Sequence, residues 1–240
     1  MQFNGKSLVS VGPLQCRKYK QRHKNTMSIK KIAVIGLGNI GKAVAENLSK
    51  SGVNFIVSGR DLEETGKVAA HAAAQAEVSD ITTAIKSADI IVLAIPFGEI
   101  APFISTYSAE LQGKLVIDPS NPIAPDENGG FKKIIDADKS AGEVNAAALP
   151  KGIKLAKALG TLGAATLSGA AYKTPANVLF YAADGKDVDA DVEQLIKNNG
   201  FVPVKVGGLS QSARIEVFGD LHEFGALGKA VTAEEAKTAL

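Results

Sequence analysis

Residues 31–60 constrain the fold more than any other stretch of the chain. Lys31-Ile-Ala-Val-Ile35 reads as a short buried strand, and Gly36-Leu37-Gly38-Asn39-Ile40-Gly41 follows it without a gap. Residues 42–50 have helical composition, and residues 54–60 read as a second strand. G-x-G-x-x-G is a weak signal alone, but between a strand and a helix each glycine has a job. Gly36 allows the tight turn, Gly38 lets the backbone approach a pyrophosphate, and Gly41 lets the helix pack on the strand. The helix start offers unpaired N–H groups and the positive end of its dipole to the phosphates. Residues 36–41 are therefore expected to hold a dinucleotide; the alternative is a strand–turn–helix connection with no ligand.

The rest of the chain keeps alternating. Asp61 and Glu64 form a helix-start pair, with the helix expected to run to about residue 75. A short helix is expected at 81–87, and the apolar run 89–95 reads as a strand covered on both faces, stopped by Pro96. Further expectations are a helix at 103–111 and a strand at 114–118 stopped by Pro119. The polar stretch 123–147 is long for a loop, and is expected to be an active-site segment with some helix. Strands at 153–159, 177–183 and 201–206, a helix at 188–198 and a terminal packing helix at 214–227 complete the reading. The class is α/β: a doubly wound, mostly parallel Rossmann-type sheet with a small C-terminal α/β extension. The expected divisions are a disordered basic tail at 1–27, a dinucleotide-binding domain at 28–150 and an extension closing the site at 151–240.

The second strand decides between cofactors. A site for NAD usually carries Asp or Glu there to accept from the ribose hydroxyls. This chain has Ser58-Gly59-Arg60 instead. A guanidinium and a hydroxyl suit a 2′-phosphate, so NADP is expected. Ala94-Ile95-Pro96 and Asn121 end the next strands at the carboxyl edge, where ligands of open α/β sheets collect. They complete the expected cofactor set. Asn121 equally suits holding its proline-flanked turn.

Charge and residue usage exclude other classes. The tail at 1–27 holds six basic residues and no acidic one; the remaining chain has 21 basic against 25 acidic residues. Nucleic-acid binding is not expected of such a body. Cys16 is the only cysteine and His23, His71 and His222 lie far apart, so neither an internal disulfide nor a metal site is expected. No apolar run reaches the ~20 residues that span a membrane. A cytoplasmic location is expected, with organelle targeting by the tail as the alternative to a start at Met27. No Tyr-x-x-x-Lys occurs, which argues against a short-chain reductase.

Taken together, residues 32–41, Ser58-Gly-Arg60, Ile95-Pro-Phe97, Val116-Ile-Asp118 with Asn121-Pro122, Lys157-Ala-Leu-Gly-Thr161 and residues 207–214 resemble the coenzyme F420-dependent NADP oxidoreductase family. The resemblance implies hydride transfer between NADPH and a flavin or deazaflavin acceptor, with a small C-terminal part closing over the nicotinamide. It implies no obligatory catalytic side chain, because the cofactors carry the chemistry. Gly160 stands where F420-using members have histidine, and is expected to widen the pocket floor or free a backbone N–H. His222 and Glu223 are expected to diverge by about 100° on a helix, with a structural role for His222 favoured. A non-catalytic NADP-binding or sensing protein is the second functional reading, and a homodimer is possible. Pyrroline-carboxylate reductases share the N-terminal motif but continue into a helical dimerisation domain, which the strands at 177–183 and 201–206 argue against.

Overall fold

The computed structural model describes residues 30–73 and 75–240; the expectations for residues 1–27 lie outside that range. Eight strands form one sheet in the order β10-β9-β8-β5-β4-β1-β2-β3. Six of them run parallel: β1 (Ile32–Ile35), β2 (Phe55–Ser58), β3 (Ala76–Val78), β4 (Ile90–Leu93), β5 (Leu115–Asp118) and β8 (Lys154–Lys157). β9 (Val178–Ala183) reverses direction against β8, and β10 (Val202–Gly207) runs alongside β9. The extension is thus part of the same sheet. The sheet is covered on both faces: β1, β2, β4, β5 and β9 are buried at every residue, including the polar Ser58 and Asp118 that end β2 and β5.

Successive side chains feed opposite layers. Val34, Val92 and Ile117 pack with α1 (Asn39–Ser51), α2 (Leu62–Ala72), α6 (Ala164–Gly169) and α7 (Asp189–Asn198). Ile35, Leu93 and Val116 pack on the other face with α3 (Ile81–Ser87) and α4 (Phe97–Thr106). α5 (Ala141–Ala147) sits on that second face, and α8 (Ala233–Ala236) is a single turn near the C-terminus. A third cluster of Val178, Phe180, Ile215, Leu221 and Val231 sits under the C-terminal segment.

Four local expectations change. α2 stops at Ala72, and the short edge strand β3 follows it, too polar in pattern to stand out. α4 starts at Phe97, after the three residues that follow the end of β4, and accommodates Pro102; the carbonyl left without a donor is that of exposed Gly98. The stretch 123–147 contains the expected helix, α5, but also an antiparallel hairpin of β6 (Ile123–Pro125) and β7 (Phe131–Lys133). Most clearly, no helix spans 214–227. A 3₁₀ turn at Leu209–Ile215 leads into an irregular strap. Gly219 and Gly225 explain why: a Cβ on Gly219 would lie 2.3 Å from the carbonyl oxygen of Ala213, and one on Gly225 would lie 1.8 Å from that of Gly219. The strap folds back on itself more tightly than a helix.

The strap is tied to α5 by charge. The Glu216 carboxylate is buried and accepts from the N–H groups of Ala141 (2.9 Å) and Gly142 (3.1 Å), while Ser140 caps the same helix from within. Those two donors would otherwise be buried and unpaired, which costs about 1–3 kcal/mol. Glu216→Ala is therefore expected to lower stability by about 1–3 kcal/mol, a fall in Tm of several degrees in thermal denaturation.

Candidate functional site

The glycine turn lies between β1 and β4 at the carboxyl edge of the sheet, and its three glycines differ physically. Gly36 has φ +91°, and a Cβ there would come within 2.6 Å of the Ala94 carbonyl oxygen. Its N–H donates to the carbonyl of Ser58 (2.8 Å), pinning the turn to the end of β2. Gly41 is buried, and a Cβ there would meet the Gly36 carbonyl oxygen at 1.9 Å. A Cβ on Gly38 would meet nothing within 4 Å. Two glycines permit close protein packing, while the third faces open space. Gly38 also caps α1 without a side-chain hydrogen bond, and the first turn carries no acidic residue. Leu37 and Ile40 are half-buried beside it and Asn39 is exposed. The result is a helix start with free N–H donors and room in front of them, which fits a pyrophosphate.

The other expected cofactor residues border this turn in different ways. Ala94 backs both Gly36 and Gly41, and Ile95 packs against Gly36. Pro96 is exposed and caps α4. Arg60 is exposed and has no salt-bridge partner among the described residues, whereas Lys67 is bound to Glu63 at 2.6 Å. Gly59 has no room for a side chain because Thr65 Oγ1 would lie 2.5 Å from its Cβ. Ser58 is fully buried and its hydroxyl has no partner among the described residues. Asn121 stands apart from the turn, at the end of β5. Its Nδ2 donates to the Gly160 carbonyl (3.1 Å) and its Oδ1 accepts from the Val217 N–H (2.8 Å).

Sequence reading missed a polar seam between β5 and β8. Their register pairs Asp118 with Lys157, so both side chains project from the same face at neighbouring strand ends. Both are buried, with Lys157 Nζ 3.2 Å from Asp118 Oδ2. Asp118 also accepts from Asn145 Nδ2 (2.8 Å) and the Ser120 N–H (2.7 Å), and Lys157 donates to the Ser120 carbonyl. The signal was a lysine inside a buried strand, Lys154-Leu-Ala-Lys157, beside a strand ending in aspartate. Next to this seam the hydroxyls of Ser120 and Thr161 are buried and without partners among the described residues.

Gly160 does not widen a pocket. A Cβ there would lie 2.2 Å from the Pro119 carbonyl oxygen, so glycine is what lets the ends of β5 and β8 meet. Its carbonyl is the hub of the strap. Besides Asn121 it accepts from His222 Nε2 (2.9 Å), while His222 Nδ1 accepts from the Phe224 N–H (2.9 Å). These bonds fix the neutral Nε2–H tautomer, and burial pushes the imidazole below its ordinary pKa. His222 is structural. Glu223 points elsewhere, accepting from the Gly163 N–H (2.6 Å) and from Thr166 Oγ1 at the start of α6.

The fold and the glycine turn define a Rossmann-type dinucleotide-binding protein. Residues 31–122 match the family of NADP oxidoreductases, coenzyme F420-dependent, over the half of the sheet that carries the turn. That match bears out the resemblance for the motifs within residues 31–122; the segments at 157–161 and 207–214 lie outside it. Among solved structures, the hypothetical protein SMa0349 from Sinorhizobium meliloti superposes with a TM-score of 0.73 at 29% identity, covering 86% of this chain and 97% of that one. A provisional F420-dependent NADP reductase from Arthrobacter sp. FB24 superposes with a TM-score of 0.65 at 21% identity, covering 76% and 87%. A pyrroline-5-carboxylate reductase from Coxiella burnetii gives 0.56 at 16% identity, but only 63% of its chain is covered, so the likeness is one of fold. Among the described residues, no helix is long and apolar enough to cross a membrane, and no cluster of three or more His, Cys, Asp or Glu could hold a metal.

Gly38→Ala should fold with an unchanged Tm yet bind dinucleotide at least about tenfold more weakly, because its methyl enters the phosphate space. Gly41→Ala should lose about 2–4 kcal/mol of stability through its backbone clash; calorimetry with a dinucleotide titration separates the two. The His222 pKa is lower folded than unfolded. Its stability contribution is therefore complete above pH ~6.5 and is lost as pH falls below that value. Tm measured from pH 7.5 to 5 should fall less steeply for His222→Asn than for the parent protein.

Proposed function

We propose that this chain is an NADP(H)-dependent oxidoreductase that transfers a hydride between NADPH and a flavin-like or other small acceptor. The observation that carries the cofactor choice is the end of β2. It presents an exposed Arg60 with no salt-bridge partner among the described residues, and no carboxylate before Asp61, which is spent as a helix cap, beside a phosphate-ready turn. In this reading the N–H groups at the start of α1 hold the pyrophosphate and Arg60 holds the 2′-phosphate. Reduced NADP supplies the hydride when bound. The acceptor gains that hydride, with its two electrons, and takes a further proton from water where its chemistry requires one.

The protein's share is alignment and exclusion of water. No acid or base is required at the reacting carbon, and the strap offers none: His222 is locked neutral by two backbone partners, and Glu216 and Glu223 are consumed as helix caps. Cytoplasmic action and a homodimer remain part of the proposal. The matched family of oxidoreductases favours an enzyme over an NADP sensor on the same fold.

A charge-assisted phosphate contact is worth about 1.5–3 kcal/mol. Arg60→Ala is therefore expected to weaken NADPH binding by about tenfold or more while leaving NADH binding within about twofold. Equal losses for the two cofactors, measured by fluorescence titration, would remove the assigned role. NADPH oxidation with a panel of flavins, deazaflavins and quinones tests the reaction itself. Tight NADPH binding with no turnover by any of them would favour the sensor.

A further inference from the structure

The strap crosses the carboxyl ends of β5 and β8, held there by Val217 on Asn121, His222 on Gly160 and Glu223 on the Thr161 carbonyl. Every charged side chain it carries is already engaged. Arg214 is bound by Asp220 through Nε (2.9 Å) and Nη2 (2.7 Å), Glu216 caps α5 and Glu223 caps α6. The buried ammonium of Lys157 beneath is held by Asp118.

Two large side chains of the strap remain in the open: Phe218 is 54% exposed and Phe224 is 56% exposed. Phe218 sits at φ +75°, a left-handed conformation that is strained for a bulky residue. A glycine would hold the same backbone without that cost. Leu159, just before the hub glycine, is likewise left-handed at φ +66°. Strain of this kind gathers where a fold positions groups for function. Phe224 rests over Gly163, where a Cβ would come within 2.9 Å of its Cζ, and its ring centroid lies 5.6 Å from that of His222.

We infer that Phe218 and Phe224 wall the acceptor subsite and select a planar, uncharged acceptor over the same ring carrying a phosphate. The inference rests on the reductase reading, in which pyrophosphate at α1 and adenosine over β2 send the nicotinamide half toward β4 and β5. Phenyl faces bind flat aromatic rings by stacking, a gain beyond the area they bury. An anionic tail needs a free cation. The guanidinium of Arg214, in the 3₁₀ turn leading into the strap, is already committed to Asp220.

Riboflavin and FMN carry the same ring and differ by one phosphate. Each is titrated by flavin-fluorescence quenching into the full chain saturated with NADP+, and each is assayed for NADPH oxidation. Riboflavin should bind at least as tightly as FMN. Phe218→Gly should raise the riboflavin Kd by about tenfold, the loss of one stacking contact. The same variant should leave the NADPH Kd within about twofold and keep or raise Tm, because the left-handed strain is relieved. A purely structural role would move Tm and leave riboflavin binding alone. FMN binding tenfold tighter than riboflavin would overturn the inference and point to Lys132 and Lys133 of the hairpin. An unchanged riboflavin Kd in the variant, or no riboflavin binding by the parent protein, would also overturn it. Riboflavin binding that depends on Phe218 without NADPH oxidation would uphold the subsite and sink the reductase reading.

Discussion

A buried lysine–aspartate pair across the β5–β8 seam joins the dinucleotide half of the molecule to its C-terminal part. Taking two charges out of water is expensive, and mutual attraction alone seldom compensates for it. Here the compensation is built from neighbours. Asp118 accepts from Lys157, Asn145 and the Ser120 N–H, and Lys157 also meets the Ser120 carbonyl. Four segments thereby converge on one point: β5, its following turn, α5 and β8. The pair also enforces register. Slipping β8 by one residue would turn Lys157 to the other face of the sheet and leave Asp118 buried without its cation. Gly160 and Asn121 keep the position through which the strap is anchored only while that register holds.

Reversal of β9 makes the strap necessary. β9 and β10 run antiparallel to β8, so the chain leaves β10 heading away from the carboxyl edge. A 3₁₀ turn and the folded segment after it carry the chain back over the face of α5 to that edge. Crowding is the cost of the return. Gly219 and Gly225 have no space for a Cβ, and Phe218 takes a left-handed conformation between two tightly packed turns.

What could be read from the sequence depended on the range of the physics involved. The glycine turn was legible because Gly36, Gly38 and Gly41 act within a few residues of one another. The parallel core was legible because strands such as Ile90–Leu93 are apolar throughout. The strap was not. Gly219 and Gly225 look like ordinary loop glycines until their carbonyl neighbours are known. His222 and Glu223 suggest a divergent helical pair, yet each is fixed by a partner about 60 positions away, Gly160 and Gly163. Gly160 misled for the same reason. Glycine can mean open space or no space, and only the Pro119 carbonyl, 2.2 Å from where a Cβ would be, decides between them. At Gly38 the identical residue means open space.

These two kinds of glycine divide the carboxyl edge chemically. Around Gly38 the N–H donors and the Arg60 guanidinium have no partner among the described residues, an arrangement that suits the proposed phosphate. Around Gly160 the polar groups are spent on the fold: Asn121 on the strap, His222 on a carbonyl, Glu216 and Glu223 on helix starts, Arg214 on Asp220. Large exposed groups at that end are aromatic. In the proposed reaction a hydride donor bearing phosphates and an apolar acceptor would meet from opposite ends of one edge. Their relative affinities could then change independently, because no charged side chain identified at one end takes part at the other.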